Sequence, residues 1–246
     1  CEFNNNRASN GHGICIIGSN TITEINDCIL TNNHNTNYVI LIEQIKEFSS
    51  NNNVINFSSN TNACGAIRLN YISNHFIFNN TFEKTSSTGA LYYDVENVDN
   101  ANDYQISVES CLFDNFVGSN SPSFRLHCPH IIIFHNNTIQ NRNGNYIGWI
   151  ANKLNCPVNT LRISSCRFIN LTNSLNSNQI TNCGGCGLWI VIDKNAKYTI
   201  TFDDCYFENN KAPKGNGGAI DYGSGTEKLK SNELIFYLGL LFHIAI

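Results

Sequence analysis

Residues Cys205 to Asp221 read CYFENNKAPKGNGGAID: a Cys-x-Phe strand, an Asn pair, a short polar loop and a Gly-Gly-Ala-Ile restart. Just upstream, Tyr198, Ile200 and Phe202 alternate with Lys197, Thr199 and Thr201, the period of two expected of a strand with one buried face. Cys205 and Phe207 resume the alternation out of phase with Phe202. A continuous strand would put Cys205 on the wrong face, so Asp203-Asp204 reads as a two-residue corner. The template is two alternating apolar residues, a corner, Cys, any residue, an aromatic, any residue, Asn.

Earlier segments repeat it. Leu161 and Ile163 lead through Ser164-Ser165 to Cys166, Phe168 and Asn170. Ile132 and Phe134 lead through His135-Asn136 to Asn137, Ile139 and Asn141, with Asn in the Cys place. Ile106 and Val108 lead to Cys111, Phe113 and Asn115; Ile25 leads to Cys28, Leu30 and Asn32; Cys1, Phe3 and Asn5 form the tail of another copy. The interval from Cys28 to Cys111 fits about three such periods of 20 to 50 residues, whose register the pattern leaves open. The longer step from Cys166 to Cys205 places an insertion within Leu171 to Gly185. A second feature recurs at a looser distance: His12-Gly13-Ile14-Cys15, Cys64-Gly65-Ala66-Ile67, Thr88-Gly89-Ala90-Leu91, Cys186-Gly187-Leu188-Trp189 and Gly217-Gly218-Ala219-Ile220. Gly before a small and then a large apolar residue permits a tight turn back into a strand.

A repeat of this length signals a solenoid or array, and strands of Phe, Ile, Tyr, Thr and Cys without heptads exclude the helical solenoids. The reading is an all-β, right-handed parallel β-helix of about eight coils, over residues 1–225, with 226–246 as a polar linker and apolar tail. A sandwich or propeller is the competitor. Stacking turns equivalent positions into ladders: Cys28, Cys111, Asn137, Cys166 and Cys205; Leu30, Phe113, Ile139, Phe168 and Phe207; and, at turns, Asn32, Asn115, Asn141, Asn170 and Asn209, with Gly217 and Gly218 restarting the strand. The ladder Cys are read as small buried apolar residues, close enough in stacked copies to bridge.

The 246 residues carry 14% charged side chains and a formal net charge of -4. No basic field exists to gather nucleic acid. About one position in six is Asn, a residue depleted from strands but suited to turns and the left-handed region; codon bias would inflate it too. Eleven Cys is an odd number and leans towards an extracytoplasmic setting. The chain contains no Met and begins at Cys1, inside a copy already under way, as a fragment or processed form would.

Phe3 to Asn6, Phe57 to Asn60, Phe134 to Asn137 and Phe207 to Asn210 give Phe-x-x-Asn, and Gly217 to Ile220 gives Gly-Gly-Ala-Ile. This pairing resembles the repeats of the polymorphic outer membrane protein family. The resemblance implies a surface-exposed parallel β-helix used in adhesion or antigenic display.

Chemistry-bearing residues are sparse. Asp203-Asp204 looks like the Asp pair of the polygalacturonases and Gly11-His12-Gly13 like their Gly-His-Gly, but the order along the chain is reversed and both sit at turns. No catalytic residue or metal ligand is assigned, and no cofactor is implied. Cys183 and Cys186 form a Cys-x-x-Cys, the weak redox candidate; with no second such pair a structural zinc lacks ligands. Asn56, Asn79, Asn136 and Asn170 open Asn-x-Ser/Thr sequons, relevant in a secretory pathway. His34, His75, His127, His130 and His135 show no metal spacing and read as solvated turn residues. Leu234 to Ile246, LIFYLGLLFHIAI, is shorter than the ~20 apolar residues of a membrane span and reads as a truncated anchor or an end cap, the one possible membrane contact. These features point to a non-enzymatic cell-surface or secreted β-helix offering its faces for adhesion, display or ligand binding to a host or matrix protein or a glycan, without nucleic acid. The alternative is a carbohydrate-active β-helix or an inactive glycan-binding relative.

Overall fold

The computed structural model describes residues 1–4, 7–8, 13–18, 21–31, 34–35, 38–56, 65–70, 72, 74–83, 90–94, 104–114, 124–127, 130–144, 148–151, 160–173, 188–191, 199–211, 220–223 and 234–237. They build a parallel β-solenoid whose three main sheets each hold eight strands. The first sheet runs from Glu2–Asn4 through Ile29–Thr31, Val54–Asn56, Thr81–Glu83, Leu112–Asp114, Thr138–Gly144 and Arg167–Asn173 to Tyr206–Glu208. The second runs from Ile14–Ile17 through Tyr38–Glu43, Gly65–Asn70, Leu91–Asp94, Phe124–His127, Gly148–Ala151 and Leu188–Val191 to Ile220–Gly223. The third runs from Ile22–Asn26 through Glu47–Asn51, Asn74–Phe78, Gln105–Glu109, Ile131–His135, Thr160–Ser164 and Thr199–Asp203 to Leu234–Tyr237. Each circuit visits the three sheets in turn, and the glycine restarts around Gly13, Gly65 and Ala90 open second-sheet strands.

Alternation within each strand sends one set of side chains into the shared core. In the first sheet the inward row is Phe3, Leu30, Ile55, Phe82, Phe113, Ile139, Phe168 and Phe207. Leu30 to Phe168 are fully buried. Phe168 and Phe207 stack at 4.7 Å and 5°, Phe82 and Phe113 at 5.0 Å, while Phe134 of the third sheet meets Phe124 of the second at 4.6 Å. Burying each such ring contributes about 1.5–3 kcal/mol, with ring pairing adding about 0.5–1.5 kcal/mol.

The corner from the third sheet to the first turns on a single left-handed residue rather than two. Asp27, Asn52, Asn79, Ser110, Asn136, Ser165 and Asp204 all have φ between 49° and 55°, whereas Asn26, Glu109, His135, Ser164 and Asp203 remain in register within the third sheet. One such residue suffices because it reverses the pleat, which is the phase break seen between Phe202 and Cys205. Asn, Asp and Ser occupy it because short polar side chains tolerate this region at least cost.

The residue after the corner fixes the register that the repeat pattern left open. Asn53 and Asn80 fill the place between Cys28 and Cys111, so the complete row is Cys28, Asn53, Asn80, Cys111, Asn137, Cys166 and Cys205. Asn53 Oδ1 accepts the Cys28 N–H at 2.9 Å and its Nδ2 donates to the Ile25 carbonyl at 2.7 Å. Asn137 does the same with Cys111 N–H at 2.9 Å and the Val108 carbonyl at 2.7 Å. Where Cys takes the place, its thiol donates to the equivalent carbonyl: Cys111 to Ile77 at 3.5 Å, Cys166 to Phe134 at 3.4 Å, Cys205 to Ile163 at 3.5 Å. Asn and Cys are thus alternative staples between successive circuits, and buried backbone groups at the corner are satisfied either way.

His75 departs from the sequence reading. It is fully buried, in the inward third-sheet row with Phe48 and Ile106, because its strand position is inward and its Nδ1 finds the Gln105 carbonyl at 2.9 Å. Leu234–Tyr237, the start of the apolar tail, pairs in parallel with Ile200–Asp203. Among the described residues no helix is long and apolar enough to cross a membrane.

Candidate functional site

Since the inward rows hold the fold together, function must be sought on the outward rows. Register lays each out as a column with one residue per circuit, spaced about 4.8 Å.

On the first sheet, Asn4, Thr31, Asn56, Glu83, Asp114 and Gln140 form one such row. Glu83 and Asp114 are neighbouring carboxylates. Each accepts an amide N–H, Glu83 from Asn56 at 2.8 Å and Asp114 from Asn141 at 2.9 Å. The flanking positions Val54, Thr81, Leu112 and Thr138 supply no cation or imidazole, so this pair lacks an acid–base partner beside it. On the third sheet, Glu109, His135, Ser164 and Asp203 share a row, with Arg162 in the row alongside. His135 Nδ1 lies 2.9 Å from Ser164 Oγ, and Ser107 Oγ donates to Glu109 at 2.5 Å. Glu109 and Asp203 are three rungs apart, about 14 Å at strand spacing, beyond the ~5–9.5 Å over which two carboxylates flank a glycosidic bond. Ser164 is only 5% exposed, poorly placed to attack a substrate. Sequence reading missed this row because it treated all four members as halves of corners.

The second sheet carries a different arrangement. Register aligns Cys15, Leu41, Arg68, Tyr92, Arg125, Trp149, Trp189 and Asp221 in one row. The Arg68 guanidinium lies over the Tyr38 ring at 5.8 Å and the Tyr92 ring at 5.1 Å, and Arg125 lies over Tyr92 at 5.2 Å. Tyr38 and Tyr92 rings are themselves 5.9 Å apart. Arg68 Nε donates to Asn70 Oδ1 at 3.2 Å, and Asn70 Nδ2 donates to Glu43 at 2.5 Å. Arg68, Tyr92 and Arg125 are half-exposed. Each cation–π contact at such exposure contributes about 0.5–1 kcal/mol, which offsets part of the entropy of ordering the long side chains. The result is a column of alternating guanidinium and phenol through Tyr38, Arg68, Tyr92 and Arg125. Each residue here belongs to a different repeat, so no local motif announced the row.

The ladder residues lie away from these outward rows. Cys28, Cys111 and Cys166 are buried and Cys205 half-buried, all as free thiols. Burial pushes the Cys111 and Cys166 thiols up to about 12, which suppresses the reactive thiolate. Asn141, Asn170 and Asn209 are left-handed corner residues joined by side-chain hydrogen bonds, Asn170 Nδ2 donating to Asn141 Oδ1 at 3.2 Å and Asn209 Nδ2 to Asn170 Oδ1 at 3.3 Å. Of the sequons, Asn79, Asn136 and Asn170 stand on exposed corners, while Asn56 is half-buried against Glu83. Asn32, Asn115, Gly217, Gly218, Cys183 and Cys186 lie outside the described residues, as do Gly11 and His12. Among the described residues no group of three His, Cys, Asp or Glu is placed to hold a metal ion.

The fold defines the protein as a parallel β-solenoid. No family model, curated protein or solved structure matches the chain, and the likeness to polymorphic outer membrane repeats therefore rests on the repeat residues alone.

Proposed function

We propose that this is a non-enzymatic binding solenoid, acting at a cell surface or after secretion, and that the outer face of its second sheet is the contact surface. The observation that carries this reading is the Tyr38–Arg68–Tyr92–Arg125 stack. Arg and Tyr are among the side chains enriched where surfaces make energetically decisive contacts, and here the ring contacts restrict them in advance, so binding costs less further side-chain entropy. Surface adhesion or display, of the kind implied by the Phe-x-x-Asn and Gly-Gly-Ala-Ile repeats, is compatible with such a face, and the partner is a host or matrix protein or a glycan. The tail Leu234 to Ile246 is the proposed membrane contact, to be checked by detergent-dependent extraction of the full chain from membranes.

The test compares the Arg68→Ala, Tyr92→Ala, Arg125→Ala triple variant with a control carrying Thr81→Ala and Thr138→Ala on the first sheet. Binding is scored on a glycan array and on immobilised matrix proteins. The triple variant should lose binding that the control keeps; equal binding by both would overturn the assignment of this face. A second reading, a carbohydrate-active enzyme, draws on Glu109, His135 and Asp203 sharing one row. It requires turnover in a uronate-lyase and glycosidase screen that Glu109→Gln abolishes.

A further inference from the structure

We propose that Cys166 and Cys205 are a disulfide-forming pair, which a small-molecule disulfide oxidant converts into a covalent tie between the last two rungs of the corner row. This inference is independent of the binding-face reading above.

Register singles the pair out. Cys111 stands between Asn80 and Asn137, and Cys28 is followed on the next rung by Asn53. Cys166 and Cys205 occupy successive rungs: Arg167 pairs with Tyr206, and the Tyr206 N–H donates to the Cys166 carbonyl at 2.8 Å. One rung is about 4.8 Å, inside the ~4.4–6.8 Å between Cα atoms that a disulfide spans. Cys111 and Cys166 are two rungs apart, about 10 Å, which exceeds that span.

Both side chains of the pair turn inward. Cys166 is fully buried, and Cys205, half-buried, packs against the same core cluster. The Cys205 thiol leans towards the circuit that holds Cys166, donating to the Ile163 carbonyl at 3.5 Å. The Cys166 thiol donates to the Ser164 carbonyl at 3.2 Å and the Phe134 carbonyl at 3.4 Å. A thiol is a weak donor, so turning Cys166 towards Cys205 gives up little. Burial is the main cause of the raised Cys166 pKa, and the charge of the neighbouring Cys205 raises it further.

The difference in exposure sets the order of steps. The Cys205 thiolate attacks the oxidant RS–SR, one RS⁻ leaves, and Cys205 is held as a mixed disulfide. The Cys166 thiolate then attacks the Cys205 sulfur, the second RS⁻ leaves, and the Cys166–Cys205 bond forms. Two protein thiols are oxidised, one RS–SR is reduced to two RSH, and the protein's two thiol protons end on the released thiolates. Burial holds both thiols above their ordinary range, so the native reaction is slow at neutral pH and quickens as pH rises. In the reduced protein the pair stays as thiols. The bond closes an interval of 39 positions, 205 minus 166, the longest step between neighbours in the row. It thereby restrains the insertion within Leu171 to Gly185 and removes entropy from the unfolded chain.

The experiment uses the full chain with Cys1→Ser, because Cys1 stands one rung before Cys28, its carbonyl accepting the Ile29 N–H at 2.8 Å. Removing that thiol leaves Cys28 and Cys111 as controls with no thiol on an adjacent rung. Native protein is held in reduced and oxidised glutathione at about pH 8.5, near the ordinary thiol pKa; a second sample is refolded from urea in the same buffer. Both are alkylated and digested with trypsin without reduction. Cleavage after Arg162, Arg167, Lys197 and Lys211 puts Cys166 and Cys205 on separate peptides with no other Cys. These two peptides should be recovered linked, with the loss of two alkylatable thiols, while Cys28 and Cys111 are recovered alkylated. Cys205→Asn keeps a corner staple of the kind Asn137 provides and should abolish the link, leaving Cys166 alkylatable after unfolding. Circular dichroism checks its fold, and Cys205→Ala replaces it if Asn is not accepted. Recovery of Cys166 and Cys205 as thiols from both samples would overturn the inference. So would their linkage to other cysteines, linkage of Cys111 as readily as Cys166, or the same loss of two thiols in the Cys205 variants.

Discussion

Acid should destabilise this protein through one residue, His75. Its ring is fully buried, edge-on to Tyr93 at 4.4 Å, with Nδ1 on the Gln105 carbonyl and Nε2 without a partner. A carbonyl can only accept, so Nδ1 carries the proton and the ring is neutral. Burial lowers its pKa from 6.5 to about 3, against the smaller opposing effect of the Gln105 bond. In the unfolded chain the same imidazole titrates near 6.5. Between these values the unfolded state binds the extra proton, so stability is complete above pH 6.5 and declines as pH falls towards 3, by up to about 1.4 kcal/mol per pH unit. That amounts to about 2 kcal/mol at pH 5 and about 4 kcal/mol at pH 3, a large share of the 5–15 kcal/mol typical of a folded chain. His75→Phe keeps a flat ring in a row that already holds Phe48 and removes the titration, at a cost of about 1 kcal/mol for the lost hydrogen bond at neutral pH. Urea unfolding of both proteins at pH 7 and pH 5 isolates the effect, because every carboxylate contribution is common to the two. The wild type should lose about 2 kcal/mol more than the variant between the two pH values. Parallel losses would show that the ring is not buried neutral in the core, and the placement of this strand would be wrong.

Asn137→Ala should destabilise the chain by about 2–3 kcal/mol, since it strands the Cys111 N–H and removes the donor to Val108, whereas Asn137→Cys should cost clearly less because a thiol already does this work in neighbouring circuits; denaturant midpoints compare the two. N-ethylmaleimide at pH 8 should modify the exposed Cys1 and Cys15 in the native protein and reach Cys111 and Cys166 only after unfolding, as peptide mass spectrometry would show; rapid native labelling of Cys166 would contradict its burial. Asn79, at φ 50°, should accept Gly with little change in thermal midpoint, while Asn79→Val should cost about 1–2 kcal/mol by forcing a β-branched residue into the left-handed region.

The parts of this fold written locally were legible. The phase break between Phe202 and Cys205 marked a real reversal of the pleat, and Asp, Asn and Ser at that point marked the left-handed residue that makes it. Between Cys28 and Cys111 the pattern failed for a physical reason. The template asks for two apolar residues before the corner, and there the core itself turns polar: Ser50 takes one such place and His75 another. Ser50 Oγ donates to Asn80 Oδ1 at 3.1 Å and accepts from Asn53 Nδ2 at 2.9 Å, so three buried polar side chains satisfy one another. Hydropathy scores such a cluster as surface, although hydrogen bonding makes it core. The second-sheet row was invisible for another reason. Arg68, Tyr92 and Arg125 become neighbours only once the lengths of the intervening loops are absorbed by register, and alternation along one strand does not encode the rungs above and below it.

This division explains how so Asn-rich a chain can specify one structure. Asn is a poor strand former, and an AT-rich genome would scatter it without regard to place. Here it occupies two kinds of site where a polar amide is useful. At Asn53, Asn80, Asn137 and Asn210 it is the staple inside a corner, each with its carbonyl oxygen accepting a backbone N–H and its amide donating to a carbonyl of the preceding circuit. At Asn52, Asn79, Asn136, Asn141, Asn170 and Asn209 it is the left-handed residue itself. The corners therefore carry directional bonding, the inward rows carry the apolar burial, and neither makes demands on outward positions. In a solenoid, where each repeat answers mainly to its neighbours, outward rows are free to vary without loss of fold. Rows of simple polar residues, such as Asn4 to Gln140, need no further explanation. A row of alternating arginine and tyrosine assembled from separate repeats does, because corner chemistry and core packing would be served equally well by Thr or Ser in its place.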